Sequence, residues 1–165
     1  MTKKNTRLGI RLVLGLLIIA NLSMIFLFSA QSSDASDQTS GQVTSVIANL
    51  VIKDFDDKSD AEQTEILEQI HPLIRKLAHM TEFGMLGALI LLFLLTWESN
   101  LTLQYADALL LVLTTASIDE YSQTFSAGRT AQPTDVLIDF FGALLCCSFI
   151  LLIVCKIRRK HKKRH

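Results

Sequence analysis

Residues Ser117–Asp139 read SIDEYSQTFSAGRTAQPTDVLID, and the fold follows from how they are placed. They close one apolar run with Asp119, Glu120 and Gln123, turn through Gly128, Arg129 and Pro133, and open the next apolar run with Asp135 and Asp139. Carboxylates inside apolar helices are costly in lipid and are ordinarily paired or functional. One Arg and four acids at a single turn pose the question of what else in the chain reaches the same place.

The surrounding composition makes that turn the end of a membrane hairpin. Of 165 residues, 50% are hydrophobic and 19% charged, and the hydrophobic ones gather in four blocks, Leu8–Phe28, Leu77–Trp97, Leu101–Tyr121 and Val136–Val154. A bilayer core of ~30 Å is crossed by about 20 helical residues. Each block is near that length. None alternates polar and apolar residues, and lone strands cannot span lipid. The expectation is an all-α, four-helix transmembrane bundle in a single domain, with spans at residues 8–29, 74–97, 102–123 and 135–155.

A net charge of zero hides an asymmetry along the chain. Lys3, Lys4, Arg7 and Arg11 flank the start of the first block, and a basic tail over residues 156–165 follows the last. The insertion over residues 32–71 is acidic. Basic flanks stay cytoplasmic, so both termini are expected inside and the acidic insertion outside. The tail would also attract anionic lipid, by ~1 kcal/mol per residue near the surface, although fixing topology is its simpler role. A signal-peptide reading of the first block, with a small-residue site around Ser33–Ala35, competes with that of an uncleaved helix.

Within the insertion, Ser32–Gly41 reads as a solvated loop. Val43, Val46, Ile47, Leu50 and Val51 then fall at helical spacing. Asp54–Lys58 reads as a break, Ser59 with Glu62 as a capping box for a short helix to Ile70, and Pro72 as the first turn of the next helix. These short amphipathic helices read as a lid or interfacial platform without a catalytic motif. Cys146, Cys147 and Cys155 show neither disulfide nor zinc spacing and read as packing residues.

Topology collects the polar residues. Ser29 and Gln31 end the first span, and Arg75, Lys76, His79 and Glu82 begin the second, against the charge rule. Asp119, Glu120 and Gln123 end the third, while Arg129, Asp135 and Asp139 lead into the fourth. Spacings of three and four place Arg75, His79 and Glu82 on one helical face, and Asp119 with Gln123 on another. All therefore belong to the outer mouth of one bundle, and nothing comparable stands at the inner mouth.

Phe28-Ser29-Ala30-Gln31, Arg75-Lys76-Leu77-Ala78-His79 with Glu82-Phe83-Gly84, Ser117 to Phe125, Gly128-Arg129, and Asp135-Val136 with Asp139 and Gly142 together resemble the VanZ-like family of bacterial membrane proteins. The motifs cover the four spans in order and leave the insertion uncovered. The resemblance implies a multi-pass protein of the cell membrane. The family's founding member is associated with resistance to teicoplanin, a glycopeptide antibiotic acting on cell-wall precursors outside the membrane. No established reaction comes with it.

On these grounds the expected function is binding or processing of a cell-envelope group, lipid-linked or a peptidoglycan precursor, at the outer face. His79, Glu82, Asp119 and Glu120 are the candidates for acid–base chemistry. Ser29, Gln31, Arg75, Lys76, Gln123, Arg129, Asp135 and Asp139 are the candidates for substrate binding, with the arginines suited to phosphate or carboxylate. Membrane lipids, and a lipid-linked cell-wall intermediate or glycopeptide, are the expected partners, with no nucleic acid. No cofactor is called for. A divalent metal on Glu82, Asp119, Glu120, Asp135, Asp139 and His79 would find ample oxygen ligands but no recognised spacing. The same residues are also compatible with a transporter, with a non-catalytic accessory, and with an ion-pair network that pins the helices together.

Overall fold

A computed structural model describes residues 3–162 as five helices, α1 (Lys3–Ser29), α2 (Ser33–Val51), α3 (Asp60–Leu94), α4 (Leu101–Gln123) and α5 (Pro133–Lys162). The last residues of the basic tail, 163–165, lie outside the described part. Four of the helices are long and apolar enough to cross a membrane, at Lys4–Ser29, Asp60–Leu94, Leu101–Gln123 and Pro133–Lys160. The chain is a multi-pass membrane protein.

Contacts at the two ends order the helices. Arg7 at the start of α1 pairs with Glu98 at 2.8 Å, and the Arg11 guanidinium lies 3.9 Å from the centre of the Trp97 ring. The start of α1 therefore shares one end of the bundle with the α3–α4 connection. At the opposite end, Ser126 donates to the Ser29 carbonyl at 3.1 Å, so the end of α1 meets the α4–α5 loop. α3 and α5 run parallel and pack directly on each other, each leading away from that second, polar end, and α4 returns antiparallel against both.

The core sets small residues of α4 against large ones of α1 and α3. Along α4 the buried positions are Gln104, Ala108, Val112, Ala116, Asp119, Glu120 and Gln123, one face at spacings of three and four. Its apolar middle packs with Ile25, Phe83, Leu86, Leu91, Ala143 and Cys147. The buried face turns polar at both ends. Gln104 at one end is satisfied by donating to the Leu94 and Trp97 carbonyls at 2.7 and 3.1 Å, closing off the end of α3. Leu12, Leu16, Leu110, Phe149 and Leu152 stay exposed on the outside. Around a helix bundle, such a surface is solvated by lipid chains rather than water. Between α3 and α5 the glycines allow close approach: a Cβ on Gly87 would lie 3.0 Å from Ala143 Cβ, and one on Gly84 3.0 Å from Cys146 Sγ.

The insertion differs from its reading as loop plus short helices. Ser32–Gly41 is not a loop, because α2 already starts at Ser33. Ser32 caps it by accepting from the Ala35 amide, Asp34 stands in the first turn where the helix dipole favours an acid, and the Thr39 and Ser40 hydroxyls bond back one turn. The second segment is not a separate short helix either. The Ser59–Glu62 capping box forms with both of its halves, and the helix then runs unbroken through Pro72 into the span. Pro72 forfeits one bond to the Glu68 carbonyl. Both residues are exposed, so water can take up that carbonyl. At about 1.5 Å per residue, 35 residues make α3 about 52 Å long, well beyond the bilayer core.

α2 and the first half of α3 form an antiparallel hairpin. Asp37 meets Arg75, and Ser40 meets His71 at 2.6 Å, so the partner number falls as the residue number rises. The break at Asp54–Lys58 is the hairpin's turn, with Asp54 in the left-handed region at φ 56° and Phe55 buried beneath it. The apolar stripe of α2 faces outward, Leu50 being 80% and Val51 77% exposed, and the polar stripe Ser33, Ser36, Ser40 and Thr44 faces the protein.

Candidate functional site

The hairpin's base, the α4–α5 loop and the first turns of α5 enclose a cavity of about 390 Å³ at the polar end. The loop is pinned from three sides. The Glu120 carboxylate accepts the Gln132 amide at 2.5 Å. The Ser33 amide donates to the Ala127 carbonyl at 3.0 Å. Arg129 donates through Nη1 to the Ser29 carbonyl at 3.1 Å and through Nη2 to the Ser36 hydroxyl at 2.8 Å. A guanidinium on the last turn of α1 also suits that helix's negative end. Burial first, and then the like charge of Arg75, hold the Arg129 pKa below its ordinary value, yet a guanidinium keeps its proton at any physiological pH. Gly128 enters this turn at φ 77°, a backbone that L side chains rarely adopt.

The sequence candidates take different positions, and Arg129 takes two of them. Glu120, Arg129 and Ser29 hold helix ends together, Ser29 through its carbonyl. Arg75, Lys76, His79, Gln123, Arg129, Asp135 and Asp139 line the cavity. Beneath it, Gln123 donates to Asp119 Oδ2 at 3.1 Å, and Glu82 lies close enough to Asp119 and Asp139 for their charges to interact. Gln31 is half-buried at the chain's entry to α2 and does not line the cavity.

The electrostatics do not describe an ion-pair network. Among the described residues, neither Arg75 nor Arg129 comes within 4.0 Å of Asp119, Glu120, Asp135 or Asp139. Arg75 pairs with Asp37 at 2.7 Å instead. The remaining contact between opposite charges is His79 Nδ1 to Asp139 Oδ1 at 3.9 Å, beyond hydrogen-bonding range. Asp119 Oδ1 and Asp139 Oδ1 are buried without a hydrogen-bond partner. Among the described residues, no three His, Cys, Asp or Glu side chains converge as a metal site would require.

Four cavity or near-cavity residues come from the insertion, whose sequence reads as a platform, namely Ser33, Ser36, Asp37 and His71. The signal was present in the 33, 36/37, 40, 44 spacing of polar residues on α2, opposite its valines.

A family model described as VanZ/LLP1 matches residues 14–155. The chain belongs to the VanZ/LLP1 family. The match reaches into all four spans, and the α2–α3 hairpin that the short motifs left uncovered lies within it. No curated protein and no solved structure matches the chain. Every family motif quoted from the sequence except Phe28-Ser29-Ala30-Gln31 contributes at least one residue to the cavity or to the α3–α5 contact just below it, and Ser29 of that remaining motif holds the loop that roofs it.

Proposed function

We propose that this VanZ-family protein binds the anionic head group of a lipid-linked cell-envelope intermediate at the outer boundary of the membrane. One observation carries the reading. A polar cavity of about 390 Å³ opens at the bundle end, with Lys76, Arg75 and Arg129 on its walls and exposed apolar residues such as Leu73, Leu77, Leu137 and Phe141 on the same two helices. That combination suits an amphiphile, its head in the cavity and its chain on the lipid-facing surface. Arg and Lys are the side chains that phosphate or carboxylate groups call for. The charge asymmetry of the chain argues for the outer side: basic residues flank the start of α1 and the end of α5, and the acidic hairpin belongs opposite them. His79 and Asp139 on the cavity floor are the pair suited to move a proton on a bound group, should binding be followed by processing. A glycopeptide such as teicoplanin acts on the same class of precursor, so altered glycopeptide sensitivity would be a consequence of that engagement.

The test is co-purification of native lipids, identified by mass spectrometry, with the wild-type chain and with Arg75→Ala, Lys76→Ala and His79→Ala. A lipid-linked intermediate enriched with wild type and lost from the variants, at equal membrane abundance, is the expected result. Co-purified lipid that merely mirrors the bulk membrane in all four samples would refute the proposal.

A further inference from the structure

The two helices that flank the cavity present opposite charge. From α3, His71, Arg75 and His79 stand four residues apart on one face with Lys76 beside them, and from α5, Asp135 and Asp139 stand four apart on the facing side. Two of the basic groups are already engaged, Arg75 by Asp37 at 2.7 Å and His71 by the Ser40 hydroxyl at 2.6 Å. Lys76 is exposed and has no ion-pair partner among the described residues.

The acidic side is less well satisfied. Asp139 is only 2% exposed, and its Oδ1 has no hydrogen-bond donor. His79 is too distant to supply one, and the Gln123 amide is used on Asp119. The carboxylates of Asp119, Asp135, Glu120 and Glu82 act on Asp139 with like charge. A buried acceptor in this position wants an N–H donor, and a cluster of carboxylates wants positive charge.

We infer that the cavity takes an amphiphile whose head group carries both a phosphate and a primary ammonium, the phosphate at Lys76 and Arg75 and the ammonium donating to Asp139. This rests on the head-group reading above and adds the ammonium to it. A primary ammonium brings three N–H donors. A quaternary ammonium brings charge but no donor, and a purely anionic head group would meet the acids of α5 with like charge. Two sources share this chemistry, an amine-bearing phospholipid and a lipid-linked wall precursor with a free side-chain amine.

The purified full chain in detergent is titrated with three short-chain probes, dihexanoyl phosphatidylethanolamine, phosphatidylcholine and phosphatidylglycerol. Phosphatidylethanolamine is expected to bind at least about tenfold more tightly than either of the others, a factor of ten being about 1.4 kcal/mol. Asp139→Asn should abolish that preference while retaining phosphatidylglycerol binding, and Lys76→Ala should weaken all three probes alike. Should Asp139→Asn fail to fold, Asp135→Asn is expected to narrow the same preference. A second arm compares a lipid-linked pyrophosphate carrying a free peptide amine with its N-acetylated form, and phosphatidylethanolamine with its N-acetylated form. A preference for the free amine in either pair supports the inference, and the tighter free-amine ligand identifies the source. Phosphatidylglycerol binding as tightly as phosphatidylethanolamine, with no loss on N-acetylation, overturns the ammonium and leaves the head-group site standing. Failure of every ligand to bind overturns both.

Discussion

Replacing Gly142 with Ala should disrupt the α3–α5 contact and, through it, the cavity. A Cβ at this position would run into the Met80 carbonyl oxygen and lie 2.8 Å from Met80 Cγ and 2.9 Å from the Met80 carbonyl carbon. Carbon atoms rest at about 3.5–4.0 Å, so relieving the carbonyl-carbon contact alone separates the two helices locally by roughly 0.6–1.1 Å, and the carbonyl oxygen demands more. Two of the three obstructing atoms belong to the backbone, which cannot rotate away. Overpacking of this kind costs about 1–3 kcal/mol. His79 adjoins Met80, and Asp139 lies one turn before Gly142, so the same separation should stretch their 3.9 Å contact to at least about 4.5–5 Å. The assay is thermal denaturation of the detergent-solubilised protein with Gly84→Ala alongside. At Gly84 the nearest obstruction is the Cys146 Sγ at 3.0 Å, a side-chain atom that can move, and the Gly142 carbonyl oxygen follows at 3.2 Å. Gly142→Ala should lower the denaturation midpoint clearly and Gly84→Ala by less. An unchanged midpoint for Gly142→Ala, or the reverse order of the two variants, would refute the close parallel packing of α3 on α5.

Three further outcomes are expected. Arg129→Ala removes two charge-assisted hydrogen bonds, to the Ser29 carbonyl and the Ser36 hydroxyl, and should cost on the order of 2 kcal/mol in chemical denaturation. Arg129→Lys should recover only part of this, because an ammonium lacks the fork that spans both acceptors. Glu120→Ala frees the Gln132 amide, so that amide should exchange hydrogen about tenfold faster for roughly 1.4 kcal/mol lost, while amides in the middle of α4 keep their rates. Gly41→Ala meets no atom within 4 Å inside α2 and should stabilise the protein by up to about 1 kcal/mol, the helix-propensity difference between the two residues; no gain in midpoint would argue for the loop that the sequence suggested.

How much of this was legible depended on scale. The four spans stood out because a bilayer demands a run of apolar residues that few other environments demand. The end at which polar residues collect followed from connectivity, since alternate spans share ends. The hairpin was harder to read. Ser, Thr, Asp and Gly over residues 32–41 have modest helix propensity, and only the Ser32 cap and packing against α3 make the segment helical. Pro72 likewise argued for a helix boundary, and it failed as a signal because its lost bond falls on the exposed side of α3. With α2 read as loop and platform, Asp37 and His71 had no reason to be placed at the site. The sequence did not indicate that Glu120 accepts the Gln132 amide or that Arg129 donates to Ser29 and Ser36, because a sequence cannot distinguish a carboxylate that holds an amide from one that faces a cavity.

The division of labour among these charges bears on why the cluster exists. A network that served only to pin helices would set each cation against a nearby acid, because buried charges need partners. Here, among the described residues, neither arginine at this end is directed at a carboxylate of α4 or α5. Arg129 is spent on a carbonyl and a hydroxyl at the ends of α1 and α2, and Arg75 on an acid of α2. The loop, the hairpin and α1 are thereby tied together without using any carboxylate of α5. Asp139 remains buried, short of donors and at the floor of a cavity whose opposite wall is basic. Leaving it so costs stability that an apolar residue of similar volume would restore. Such a cost is understandable where a ligand offsets it, which makes Asp139→Leu informative beside the binding assays. The variant should denature at a higher temperature than wild type and lose head-group binding, whereas a structural carboxylate replaced in this way would leave the protein less stable.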